Sequence, residues 1–231
     1  MNVQEKQKCR AARKAVEQVR SGMVIGLGTG STTGWALKRI AERLNSNEIK
    51  EVFGVPSSLD TAAKAAQLGI PLTDLDRHPL LDLTIDGADE VDSALNLIKG
   101  GGGALLREKV LAQASRRNVI IVDDSKLSSH LGCRHSLPIE VTMFARSSIE
   151  RYLVALGAEI HVRESGPGKL FQTDQNNLII DTDFGPILDP RNLAAKLSDR
   201  AGIVAHGLFI NLADEVIVGE EKRVRHLHRS T

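Results

Sequence analysis

Four short apolar runs set what the first half of the chain can become: MVIGLG (23–28), EVFGVP (51–56), LDLTID (81–86) and NVIIVDD (118–124). Each reads as a strand bounded by turn residues. Between them lie segments with helical character. STTGWALKRIAERL (31–44) is one, with Ser31 or Thr32 as its expected N-cap. Residues 59–68 are Ala-rich, and residues 104–115 form a helix after a glycine run. Strands alternating with helices indicate a parallel sheet, and runs this apolar are covered on both faces. An amphipathic helix over 3–20, with Ala12, Val16 and Val19 among charges, precedes the first strand.

The pattern changes after Lys126. LPIEVTM (137–143) reads as a strand and ARSSIERYLVALG (145–157) as a helix. AEIHVR (158–163) and NLIIDTD (177–183) are strands around the turn ESGPGK. NLAAKLSD (192–199) is a helix and IVAHGLF (203–209) a strand. The order βαββαβ is that of a small ferredoxin-like unit. DEVIVGE (214–220) is a last strand that can return to the first sheet. The expected division is residues 1–130 plus 210–231 in a sheet domain and 131–209 in a smaller α+β domain. The boundary falls where SSHLGCRHS (128–136) lacks periodicity.

Charge and composition exclude several partners. Thirty Lys+Arg against 29 Asp+Glu leave a net charge of +1, which gives nucleic acid or an acidic membrane no electrostatic hold. Aromatics are 3% of the residues, too few for a base-stacking platform. Cys9 and Cys133 cannot build a disulfide framework and lack CxxC spacing, so a reduced, cytoplasmic setting is expected. The opening MNVQEKQKCRAARK has no apolar core of a secretory signal, and no run approaches the ~18 residues of a membrane span. His226 and His228, the one close histidine pair, read as a solvated basic strand end rather than a metal site.

Eight of the 20 glycines fall in two clusters, Gly26, Gly28, Gly30, Gly34 and Gly100 to Gly103. The first cluster, GLGTGSTTG, has the strand–turn–helix layout of an anion cradle, where free N–H groups and the helix dipole favour phosphate. It lacks the GK[ST] of a P-loop and fails the GxGxxG spacing. The next strand ends in Pro56-Ser57-Ser58, with no acid for a ribose hydroxyl. A small phosphorylated ligand fits better than a dinucleotide. IDGADEVD (85–92) places Asp86 at a strand end and Asp89 just beyond, where carboxylates can act as acid, base or sugar-hydroxyl acceptor. Turn capping or an oxygen-ligand metal site are open alternatives for these acids. Glu90 and Asp92 read as surface charges.

KGGGGALLREK (99–109) sets Lys99 beside four glycines, which suit close approach of backbone to a ligand. Glu108 lies in the opening turns of the next helix; on spacing alone, an exposed helix-start acid is the favoured reading. Lys126 in VDDSKL (122–127) can reach a ligand at the same sheet edge, or be an ordinary surface lysine. All four motifs follow expected parallel strands, at the edge where open α/β sheets bind ligands. Two Asp, a Glu and two Lys around a phosphate cradle suit proton transfer next to a carbonyl.

GLGTGST, DGADE, KGGGGALLREK and GPILDP together resemble the A-type ribose-5-phosphate isomerases. The match runs in order over essentially the whole chain, through EVTMFARS and GLFINLADEVIVG. The resemblance implies a Rossmann-like parallel-sheet domain with a smaller ferredoxin-like one. It implies aldose–ketose isomerisation of ribose 5-phosphate and ribulose 5-phosphate in the pentose phosphate pathway, without metal or cofactor. It implies Glu108 as general base, with Asp86, Asp89 and Lys99 also catalytic. Substrate binding falls to Thr29, Gly30, Ser31, Thr32, Asp86, Gly87, Ala88, Asp89, Lys99, Gly100, Gly101 and Gly102, with Lys126 at the margin. Homodimers or homotetramers are implied, with a sugar phosphate and neither nucleic acid nor membrane as partner. Gly103 departs from an alanine common in the family, which is expected to loosen the loop. A sugar-phosphate sensor without catalysis is the alternative from another class. A metal-dependent phosphohydrolase using the acids of 86–92 is a weaker one.

Overall fold

The computed structural model describes residues 1–229. In chain order the elements are α1 (Val3–Val16), β1 (Val24–Leu27), α2 (Ser31–Asn45), β2 (Phe53–Pro56), α3 (Leu59–Gln67), β3 (Leu83–Asp86), β4 (Glu90–Val91) and β5 (Leu97–Ile98). Next come α4 (Leu105–Gln113), β6 (Asn118–Asp123), β7 (Leu137–Val141), α5 (Arg146–Ala155), β8 (Glu159–Val162), β9 (Glu164–Gly166) and β10 (Lys169–Leu170). The chain ends with β11 (Leu178–Asp183), α6 (Pro190–Ser198), β12 (Ile203–His206), β13 (Leu208–Phe209), β14 (Glu215–Gly219) and β15 (Val224–His228). No helix of the described residues is long and apolar enough to cross a membrane.

The chain divides into two compact units. One holds residues 1–88, 107–126 and those from 211 onward. Its six-stranded sheet has the order β15-β14-β6-β3-β1-β2 and is parallel except for β15, which returns antiparallel beside β14. This is the Rossmann-like α/β sheet. Every residue of β6 and β14 is buried, as strands covered on both faces require. Ile25, Leu27, Ile85, Val119 and Ile121 pack against Ala11, Ala15 and Val16 of α1 and against Leu37 and Ile40 of α2. Val55, Leu81 and Leu111 form a second cluster.

The second unit holds residues 89–106 and 127–210. Its four-stranded antiparallel sheet has the order β12-β7-β11-β8, with α5 and α6 supplying the βαββαβ sequence of elements. Ile139, Val141, Leu178 and Ile180 pack against Ile149 and Leu153 of α5 and Leu197 of α6. A small sheet, β13-β5-β4, belongs here too. It explains why residues 89–106 fall in this unit rather than with the parallel sheet, where the sequence reading put them. Leu97 and Ile98 pair with Phe209 and Leu208, more than 100 positions away. Two-residue strands carry no periodicity that could announce such a pairing.

Two expected elements are shorter than their patterns. The strand read over 203–209 breaks at Gly207, whose N–H donates to the Pro138 carbonyl at 2.8 Å. Its two halves join different sheets. The helix read over 3–20 stops at Val16, with Glu17 as its C-cap. Buried Arg43 of α2 donates to the carbonyls of Val16 and Val19, and its Nε meets Glu48 Oε1 at 2.7 Å. The other end of the helix pair is tied by Trp35 Nε1, which donates to Glu5 Oε2 at 2.9 Å. Arg43 thus sets how α1 lies along α2. Replacing Arg43 by Met keeps the stem but strands two carbonyls and Glu48. That should cost about 1–3 kcal/mol in urea unfolding, while an alanine at half-buried Arg39, whose ion-pair partner Glu42 is exposed, should cost far less.

Candidate active site

β1, β3 and β6 are parallel neighbours, so the loops that follow them open at one edge of the sheet. Three of the sequence motifs meet there. The turn after β1 is fastened to the end of β3. Gly28 N–H donates to the Ile85 carbonyl at 3.0 Å, and Thr29 N–H to Asp86 Oδ1 at 3.2 Å. Asp86 Oδ1 also accepts from Gly87 N–H at 2.7 Å. Asp86 is 2% exposed. The approach is so close that a Cβ on Gly28 would lie 2.7 Å from the Asp86 Cα and 2.0 Å from its Oδ1.

The N-cap of α2 is Gly30, not Ser31 or Thr32 as the sequence suggested. Its φ of 117° is open only to glycine among common residues, and no side chain caps the helix. Ser31 and Thr32 are therefore the first helical residues. Their turn presents backbone N–H groups and the positive end of the dipole, which suits a phosphate. The Thr29 hydroxyl does not point into this cradle. It lies 2.8 Å from Ser57 Oγ, 2.9 Å from Ser58 Oγ and 3.0 Å from Thr61 Oγ1, and Thr61 Oγ1 donates to the Gly28 carbonyl. Thr29 anchors the loop through its side chain and its backbone alike, its N–H on Asp86 and its carbonyl accepting from Thr33 Oγ1 at 3.2 Å.

One residue beside this turn was not singled out from sequence. Lys8 of α1 donates to Ser31 Oγ at 3.0 Å and pairs with Glu5 Oε1 at 3.0 Å. The Trp35 indole and then the Lys8 ammonium hold the Glu5 carboxyl below its ordinary value. The signal was present as a lysine on the polar side of an amphipathic helix, but nothing local says which strand end that helix crosses. An open cleft of about 550 Å³ beside Gly30 and Ser31 is also lined by Lys38 and Lys64.

Glu108 is in the first turn of α4 and only 5% exposed, so the reading of it as a solvated helix-start acid does not hold. The far end of α4 packs Leu111 with Leu81, and Ser115 bridges to Leu81 at the start of the β3 region. The helix therefore runs back along the sheet, and its first turn lies toward the edge that carries Asp86. Lys126 ends a single 3-10 turn after β6, at that same edge, and is half-buried.

The other residues singled out from sequence, Asp89 and Lys99 to Gly102, lie in the second unit. Asp89 N–H donates to the Ile98 carbonyl at 2.8 Å, and Asp89 Oδ2 accepts from Gly101 N–H at 2.7 Å. Lys99 is 3% exposed, with its ammonium 5.6 Å from the centre of the Phe209 ring. Arg163 holds the glycine run by donating to the carbonyls of Gly100 and Gly101 at 3.2 and 3.0 Å. The same guanidinium is forked onto Asp181 at 2.8 and 2.5 Å. No spacing in the sequence linked Arg163 to that run. Glu90 is fully buried, not a surface charge, and accepts from Gly132 N–H at 2.9 Å. Asp92 Oδ1 accepts from the N–H groups of Ala94 and Asn96 in its own turn. These two acids are structural.

The family model for ribose 5-phosphate isomerase A (phosphoriboisomerase A) matches residues 53–223. The ribose-5-phosphate isomerase A of Chloroflexus aurantiacus is 55% identical over 226 residues, covering 98% of this chain and 95% of that one. The Desulfatibacillum aliphaticivorans protein of the same name is 51% identical, covering 98% and 99%. The chain belongs to the ribose 5-phosphate isomerase A family. Among solved structures, a D-ribose-5-phosphate isomerase in complex with phospho-erythronic acid superposes with a TM-score of 0.96 at 38% identity, over 99% of this chain and 100% of that one. The ribose 5-phosphate isomerase from Plasmodium falciparum gives 0.94 at 40%, over 98% and 100%.

Against that family, Gly103 does not loosen its loop. It sits at φ 82°, donates to the Gly100 carbonyl at 2.9 Å, and a Cβ there would come 2.5 Å from the Phe171 ring. The Phe171 ring occupies the space a side chain would need. Two measurements probe the site's physics. Gly28→Ala forces the turn off β3 and should destabilise by about 1–3 kcal/mol and abolish turnover. Gly34→Ala, with nothing within 4 Å of its Cβ, should stabilise by about 0.5–1 kcal/mol in the same thermal unfolding assay. Burial lowers the Lys109 ammonium from 10.5 to about 7. Between those values the unfolded chain binds a proton that the folded one refuses, so stability should fall as pH drops from 10.5 to 7. Lys109→Met should flatten that slope in denaturant titrations; an unchanged slope would reject the assignment.

Proposed function

We propose that this chain interconverts D-ribose 5-phosphate and D-ribulose 5-phosphate in the non-oxidative pentose phosphate pathway, as the names of its relatives indicate. The observation that carries the reading is the strand edge where a glycine-started helix, a pinned Asp86 and a buried Glu108 follow parallel strands. Phosphate binds the first turn of α2, with Lys8 beside Ser31 adding charge. Anchoring the far end of the sugar uses remote binding to orient C1 and C2.

Asp86 or Asp89 assists opening of the furanose ring. Glu108 then takes the proton from C2 of the open aldose, and the electron pair moves to the C1 carbonyl oxygen, giving an enediolate. Lys99 and the N–H groups of Gly100 and Gly102 stabilise that oxyanion, while the Gly101 N–H stays on Asp89 Oδ2 and holds that carboxylate beside it. A proton moves from O2 to O1, and Glu108 returns its proton to C1. The product is the ketose, and Glu108 ends as it began. Gly87, Ala88 and Lys126 complete the binding surface in this reading. The chemistry needs no metal or redox cofactor. Isomerase relatives over nearly the full chain do not favour the sensor alternative.

We also infer a cytoplasmic homodimer or homotetramer. Cys9 and Cys133 are free, and exposed Met143, Phe144 and Leu188 offer apolar surface for a second copy.

Glu108→Gln keeps the shape and removes the base. It should lower kcat by about 10²–10⁴-fold with little change in substrate affinity, and it should stop deuterium from solvent entering the sugar. Near-normal turnover would reject Glu108 as the base. Turnover by the unaltered enzyme with no solvent deuterium incorporated would replace the enediolate by a hydride shift.

A further inference from the structure

The far end of the parallel-sheet unit carries a donor cluster that isomerisation does not use. β14 and β15 form an antiparallel hairpin in which Glu215 is paired with His228 and Ile217 with His226. Side chains two apart on a strand share a face. His226 and His228 therefore stand side by side, their rings 6.4 Å apart and 16° from parallel, with Glu215 on the same face across the ladder. One donor atom from each of the three lies within 4.8 Å of the other two.

The carboxylate is aimed. Its Oε2 accepts from Gln18 Nε2 at 2.9 Å and from Arg117 Nη2 at 3.1 Å. Its Oε1 lies 2.5 Å from His226 Nδ1. Glu215 is buried while both imidazoles are exposed, so the cluster is open to solvent on one side only. Arg117 brings a positive charge, but it meets the opposite oxygen from the one that faces the rings. Orienting a ligand carboxylate through its second oxygen is how proteins fix metal donors. Two imidazole nitrogens and one carboxylate oxygen are a donor set for zinc-like cations rather than magnesium or calcium. Water would fill the open positions.

We propose that Glu215, His226 and His228 bind one divalent transition-metal cation of the zinc type. It replaces the proton shared by Glu215 and His226 and fastens β15 to the sheet. Among the described residues β15 pairs with no strand but β14, so a cross-strand tie is placed at the edge of the sheet. The site is remote from the chemistry. Glu215 pairs with Val119 at the amino ends of β14 and β6, whereas Gly28 and Asp86 lie at carboxyl ends.

The test uses the untagged full chain, stripped with EDTA and dialysed, with zinc chloride as the probe. Calorimetry should give one zinc per chain, proton release on binding, and a zinc-dependent rise in Tm. His226→Ala plus His228→Ala should lose the saturable binding and the Tm rise while keeping isomerase activity, which also shows that the variant is folded. Gln18→Ala should weaken binding by about tenfold or more at unchanged stoichiometry. X-ray absorption at zinc bound to the unaltered chain should show imidazole scattering. No saturable binding, unchanged affinity in the double variant, or a shell of oxygens alone would each overturn the proposal.

Discussion

Asp86 is the point on which the strand edge of the parallel-sheet unit depends. One of its oxygens accepts N–H groups from both Thr29 and Gly87, so one carboxylate joins the turn after β1 to the turn after β3. Those turns belong to neighbouring strands, and the tie fixes the height at which α2 begins. A buried carboxylate is costly unless its acceptors are filled, and here backbone amides fill one of them. The absence of a side chain at Gly28 makes the contact geometrically possible. The shape of the turn that opens α2 is therefore set by main-chain atoms, which cannot change rotamer.

The layers behind that tie are polar as well as apolar. Ser57, Ser58 and Thr61 hold the Thr29 hydroxyl, and Ser58 also caps α3 by accepting from Thr61 N–H at 3.0 Å. The start of α3 is thereby coupled to the start of α2. On the other side, α1 is stapled to α2 at both ends, by Trp35 to Glu5 and by Arg43 to Val16 and Val19. This is what delivers Lys8 to Ser31. A helix that looks like packing in the sequence acts as a lever that places one cation.

The legibility of the chain follows the range of each interaction. The parallel strands, their helices and the βαββαβ order were readable, because burial on both faces and helical spacing are local patterns. Glycine clusters at strand ends marked the cradle and the Lys99 loop for the same reason. What escaped depends on partners far along the chain. β4 and β5 exist because Leu97 and Ile98 meet Phe209 and Leu208, and Arg163 reaches the glycine run from more than 60 positions away. The Gly30 cap was missed because Ser31 and Thr32 look like better capping residues. Only the backbone twist at Gly30 shows that the helix starts without one.

Burial alone does not distinguish catalytic acids in this fold. Glu90 and Glu140 are both fully buried, yet neither is placed for chemistry. Glu90 holds Gly132 N–H, and Glu140 Oε1 accepts from Thr173 Oγ1 at 2.8 Å and Asn177 Nδ2 at 2.9 Å. Both sit within the second unit and brace loops where no parallel strand ends. Asp86 and Glu108 differ in position: one closes a parallel strand, and the other opens a helix that runs back from the same edge. At that edge the strands leave loops and the helices point their positive ends outward, an arrangement that favours an anionic ligand. The net charge of +1 conceals this segregation. Glu90 and Glu140 are spent on amides and hydroxyls inside the second unit, whereas Asp86 and Glu108 stand where an open α/β sheet concentrates ligands.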